Sequence, residues 1–160
     1  MIKITILSFV MLITQCLALA SPQDVGREAA ALKAEKLARK LEKTVSERKE
    51  GWFLEKRQLA GARMYNRWTA GKRELSITTG HEPSAEEASR ILQISSNLIS
   101  APHTTTKITG FGDEAYLVRI GKEHCTIMFR KGNMIVYVEA SNVADAETFA
   151  KLAADSLSQP

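Results

Sequence analysis

The chain has 160 residues, of which 44% are hydrophobic and 25% charged, with 22 Lys and Arg against 18 Asp and Glu. This is an ordinary globular composition with enough apolar material for one core, so disulfide staples are not required. The basic excess lies in residues 21–57, which hold ten Lys and Arg against seven Asp and Glu; residues 58–160 hold eleven of each, and a neutral body argues against a dedicated nucleic-acid-binding domain.

Residues 1–20 have the order of a cleaved signal peptide. Lys3 is followed by an apolar run over 4–14, then by the small-x-small triplet Ala18-Leu19-Ala20 and polar Ser21-Pro22-Gln23-Asp24. The apolar stretch is short for a membrane span and is interrupted by Ser8, Thr14 and Gln15. No transmembrane span is therefore expected in the mature chain. Cys16 invites a lipoprotein reading, but Gln15 stands where Gly, Ala or Ser is usual. Cleavage after Ala20 leaves Cys125 as the sole cysteine, which cannot form an internal disulfide. The expectation is an exported protein, periplasmic or extracellular.

Residues 21–51 read as a charged N-terminal helix. Ser21 can cap it, Pro22 suits its first position, and Gly51 is a natural stop. Its apolar stripe is Ala30, Ala34, Leu37, Leu41 and Val45, narrow and partly alanine. Such a helix docks lightly, stays solvated, or forms a weak seam with a second copy. The body, 52–160, is then expected to fold without it, with Phe149→Ala more damaging than Leu37→Ala. Trp52-Phe53-Leu54 is expected to anchor the helix end to that body.

The body follows as a hairpin, with Ala62, Met64 and Trp68 on one face and Arg63, Tyr65 and Arg67 on the other. The turn at 69–72 leads to a second run with Leu75, Ile77 and Thr79 against Glu74, Ser76 and Thr78. Ser84-Ala85-Glu86-Glu87 is a capping box opening a helix over 85–99. Residues 101–109 read as a Thr-rich linker. Strands are expected at 115–120, 125–130 and 134–140, with the last two joined by Lys131-Gly132-Asn133. Asn142 caps a final helix over 143–157. The fold class is α+β: an antiparallel sheet of about five strands covered by two amphipathic helices, preceded by the long N-terminal helix.

No catalytic, metal or nucleotide motif stands out, and no cofactor is expected. Gly110-Phe111-Gly112 enters a strand, whereas a dinucleotide loop leaves a strand and opens a helix. Asp113 and Glu114 could bind a cation, but adjacent carboxylates on an extended chain point apart. His81, His103 and His124 lack metal-site spacing. Cys125 and His124 are neighbours on a strand and face opposite sides, which suits a buried cysteine better than a nucleophile–base pair. Trp52, Tyr65 and Trp68 near Arg63 and Arg67 could stack on a polymer or ligand, but aromatics flanked by arginine also occur where a strand packs under a helix; the partner, a protein or a small molecule, is not named by the sequence.

The string Gly110-Phe111-Gly112-Asp113-Glu114-Ala115-Tyr116, followed by Phe129-Arg130-Lys131-Gly132-Asn133, the 134–138 run and an Ala-rich helix, resembles uncharacterised bacterial exported and lipoprotein α+β domains. The resemblance covers residues 108–158. It implies an exported α+β module and brings no catalytic residues with it. The function expected is a non-enzymatic binding or interaction module. The alternatives are an exported thiol hydrolase using Cys125 and an envelope tether or self-association protein acting through residues 21–50.

Overall fold

The computed structural model describes residues 24–48, 51–100, 104–121 and 124–158. The expected signal peptide, its cleavage point and the Ser21-Pro22 cap lie outside these residues, as does His103. The elements run α1 (Asp24–Arg48), β1 (Phe53–Ala60), β2 (Arg63–Ala70), β3 (Arg73–His81), α2 (Ala85–Ser100), β4 (Thr104–Ile108), β5 (Glu114–Ile120), β6 (His124–Lys131), β7 (Met134–Ala140) and α3 (Val143–Ser158).

The class is α+β. Among the described residues seven strands form one open sheet in the order β1-β2-β3-β7-β6-β5-β4, with every neighbouring pair antiparallel. Two meanders, β1–β3 and β4–β7, are joined where β3 pairs with β7. The sheet exceeds the expected five strands by its two edges. β1 begins in the Trp52-Phe53-Leu54 segment read as a helix anchor, and β4 lies in the segment read as a linker. Ala62, expected on the strand face, lies in the β1–β2 turn.

Two of the three helix N-termini read from sequence fall among the described residues and are built as such. Ser84 Oγ accepts the Glu87 N–H at 3.1 Å, and Asn142 Oδ1 accepts the Asp145 N–H at 2.8 Å. Each satisfies a backbone donor that the first turn leaves without an intrahelical partner.

Helices cover both faces of the sheet. α1 and α3 lie side by side on one face, over a core that includes Leu41, Val45, Trp68, Leu75, Ile127, Phe129, Val138 and Phe149. α2 lies on the other, where Ala88, Ile91 and Leu92 pack on Val118, Met128, Ile135 and Tyr137. α1 therefore does not dock lightly. Leu41 and Val45 are fully buried and Leu37 nearly so, in the same cluster as Phe149. The stripe proposed as a seam between copies is occupied by the protein's own sheet.

The alanines explain the fit. Ala34 and Ala38 pack on Met64 and bring the helix backbone close to the strands. Asn66 Nδ2 then donates to the Ala38 carbonyl at 3.3 Å, and Thr79 Oγ1 to the Ala34 carbonyl at 3.0 Å. Trp52 meets Phe149 edge-on at 5.1 Å and carries the Arg73 guanidinium 5.0 Å above its ring, so it anchors the chain between α1 and β1. Phe53, beside it, is 72% exposed.

Candidate functional site

The helix-free part of the α2 face is polar. Among the described residues α2 makes its main contacts with β4 to β7 and leaves β1, β2 and β3 largely uncovered on that side. Side chains there follow the register in cross-strand rows. One row runs Tyr65, Thr78, Tyr137 and Met128, the last two passing beneath α2; the next runs Arg67, Ser76, Glu139 and Thr126. Period-two alternation in β2, β3 and β7 places all of them on one face.

Arg63, Tyr65 and Arg67 are thus brought together along β2, as their alternation implied. Arg63 lies across Gly80, where a Cβ would stand 3.3 Å from its Cγ. That close approach lets it reach Glu82 at 2.8 Å and pass 5.8 Å from the Tyr137 ring. Arg67 Nη2 donates to Glu74 Oε1 at 2.8 Å, and its Nε lies 3.1 Å from Glu55 Oε2. The second of these is too bent for a hydrogen bond and acts as an ion pair. Both arginines are therefore neutralised by carboxylates.

Two groups on this face are not satisfied. Glu139 Oε2 accepts from Ser76 Oγ at 2.8 Å, while Oε1 is buried with no partner. The Tyr65 hydroxyl is also buried without one. Burial pushes Glu139 up to about 6 against the Ser76 hydrogen bond. Burial, and then the Glu139 charge, push Tyr65 up to about 12, against the Arg67 charge and the nearby Ser76 hydroxyl, which favour the ionised form. Orphaned polar atoms on one patch cost free energy that a matching ligand recovers. Glu139 and Ser76 were not singled out from sequence. The available signal was a carboxylate near the end of the otherwise apolar Met134–Ala140 strand.

Asp113 and Glu114, the other candidate pair, do not join this site. Glu114 shares a row with Arg63 but lies four strands away, with α2 over the strands near it. Asp113 Oδ2 accepts the Gly132 N–H at 2.7 Å and lies 3.4 Å from Arg130 Nη1. Burial pushes the Glu114 carboxyl up, but hydrogen bonds from Ser89, Tyr116, Arg130 and Gln93 outweigh it and hold the group down to about 2. Arg130 joins the two carboxylates by bonding both. The pair fastens the start of β5 to the β6–β7 turn and to α2. Beside it a shallow groove of about 440 Å³ is lined by Ala85, Glu86, Ser89, Arg90, Gln93 and Arg130.

Cys125 lies on the opposite face, buried, with Sγ 3.8 Å from the Ala140 carbonyl. Burial outweighs the nearby Arg119 and pushes its thiol up to about 11. The thiolate is the nucleophile, so this thiol is suppressed at neutral pH. In a Cys16→Ser variant, where Cys125 is the one thiol, native protein is expected to leave a thiol-reactive probe unconsumed at neutral pH and to react after denaturation. Rapid labelling of the native chain would return Cys125 to the list of nucleophiles. Among the described residues no group of three or more His, Cys, Asp or Glu could hold a metal ion. Nor is any described helix long and apolar enough to cross a membrane. No protein-family model matches the chain, and no curated protein matches it.

Proposed function

We propose that the protein is an exported, non-enzymatic binding module that takes its ligand on the polar sheet face of β2, β3 and β7. The observation that carries this reading is the pair of buried, unpartnered atoms, Tyr65 Oη and Glu139 Oε1, on the polar side of β2 and β3 and the adjoining end of β7, beside the strands on which α2 packs. The arginines beside them are held by Glu55, Glu74 and Glu82, which fixes the shape of the face without filling it. Export rests on the n-region, apolar run and small-x-small triplet of residues 1–20, and places the protein in the periplasm or outside the cell after cleavage near Ala20-Ser21. The suppressed Cys125 thiol weighs against the hydrolase alternative.

The test is a panel of small amines, carboxylates and sugars, read by backbone amide shifts. A binder is expected to move β2, β3 and β7 together and to lose at least about tenfold in affinity in Tyr65→Ala, about 1.4 kcal/mol. Ligand shifts confined to other elements, or turnover abolished by a single substitution, would sink the binding-module reading.

A further inference from the structure

The face has a charge pattern that selects among ligands. Arg67 is shared between Glu55 and Glu74, Arg63 is paired with Glu82, and Arg130 with Asp113 and Glu114. Lys56 stands opposite Arg67 on β1, three strands from Glu139 and roughly 14 Å away at the usual strand spacing. The groups facing Glu139 from its neighbours are Tyr65 and Arg67 of β2, Ser76 of β3 and Thr126 of β6, with Glu74 and His124 two residues further along β3 and β6 on the same face. Arg67, the one permanent cation among them, is already paired twice. Glu139 is thus a buried carboxyl with no counter-charge of its own, in a chain whose net charge is +4.

Resting on the binding-module reading, we infer that the ligand is a small organic cation, an ammonium or guanidinium, whose charged end pairs with Glu139. The chemistry around the carboxyl matches such a group. Ser76, Thr78 and Thr126 present hydroxyl oxygens, and the Tyr65 hydroxyl can accept as well as donate. The Tyr65 ring supplies π surface suited to an organic cation, whereas the Tyr137 ring lies beneath α2 with Arg63 already over it. An anionic ligand would meet Arg67 only between two carboxylates. Of the exposed large hydrophobics, only Phe53 belongs to this face, so it lacks the apolar centre of a protein–protein interface.

A cation also accounts for pH. Glu139 must be ionised to pair, and burial holds it near 6. Affinity should therefore be full above that value and fall by about tenfold per pH unit below it. The experiment titrates the full chain with n-butylammonium and n-butylguanidinium, with butanol and butyrate as isosteric controls, at about pH 8 and about pH 5. The expected result is shifts at Tyr65, Ser76 and Glu139 with the two cations alone, weakened at least about tenfold at the lower pH. Glu139→Gln keeps the shape, removes an unpaired charge and should stay folded; its cation response should vanish. Silence from both cations at the higher pH, equal response to butanol or butyrate, or undiminished binding in Glu139→Gln would each overturn the inference. An oligolysine peptide that binds where the free amines do not would overturn the small-molecule assignment. If a neutral or anionic panel member moves these strands while cations do not, the binding face stands and its ligand class falls. If nothing moves them, both fall.

Discussion

Leu41→Ala is expected to lower the unfolding free energy by about 2–5 kcal/mol, in the same range as the about 3–5 kcal/mol expected for Phe149→Ala. Both side chains are essentially without solvent contact, at 0% and 1% exposure, and both belong to the cluster over β2, β3, β6 and β7. The cost has two parts, lost transfer free energy and a cavity that close-packed neighbours cannot refill. At Phe149 the edge-on contact with Trp52 is lost as well. The α1 side has little freedom to collapse, because Asn66 and Thr79 hold its backbone against the sheet. Denaturant melts of the two variants decide the point. A cost below about 1 kcal/mol for Leu41→Ala, beside a large one for Phe149→Ala, would place α1 outside the cooperative unit.

Gly112→Ala is expected to cost about 2–4 kcal/mol. The φ at this glycine is +119°, and a Cβ there would stand 2.4 Å from the Arg130 carbonyl oxygen. That oxygen accepts the Asp113 N–H at 2.9 Å, so relieving the overlap also breaks a hydrogen bond. Gly110 makes the control. It also has positive φ, +92°, but nothing lies within 4 Å of its would-be Cβ. Gly110→Ala should therefore incur backbone strain alone and cost less. Equal melting shifts for the two variants would show that the close approach to Arg130 is not what the string requires.

Most of the body was legible because its strands are half-buried and its helices capped. Tyr65 alternates with Met64 and Asn66 as a two-faced strand must, and β7 matches its expected limits. The two edge strands were hidden for a common reason. β1 reads Glu55-Lys56-Arg57 at its centre, and a register shift between Leu54 and Lys56 breaks the alternation there. In β4 only Thr105 and Ile108 are even partly buried. Charge and exposure at a sheet edge discourage pairing with other chains, and the same features erase the strand signal. The α1 packing was missed because alanine counts for little in a hydrophobic stripe. Here it permits backbone contact that a larger residue would block. The polar face was half legible. Arg63, Tyr65 and Arg67 lie on one strand, whereas Glu139 joins them only through the β3–β7 pairing, some seventy residues along the chain.

That pairing sets an order of events when the chain folds. The β1–β2, β2–β3 and β6–β7 hairpins close over short turns, and hairpins of this kind form in microseconds. The β3–β7 seam must instead close a loop that contains α2 and three strands, and the entropy of closing it is lost before any contact across it is made. Its far end is then pinned by the Glu82 N–H donating to the Asn133 carbonyl at 2.8 Å and by Asn133 Nδ2 donating to the Glu82 carbonyl at 3.0 Å. Until that seam zips, Tyr65 and Glu139 belong to separate meanders, so the ligand face is among the last surfaces the chain acquires and among the first it loses.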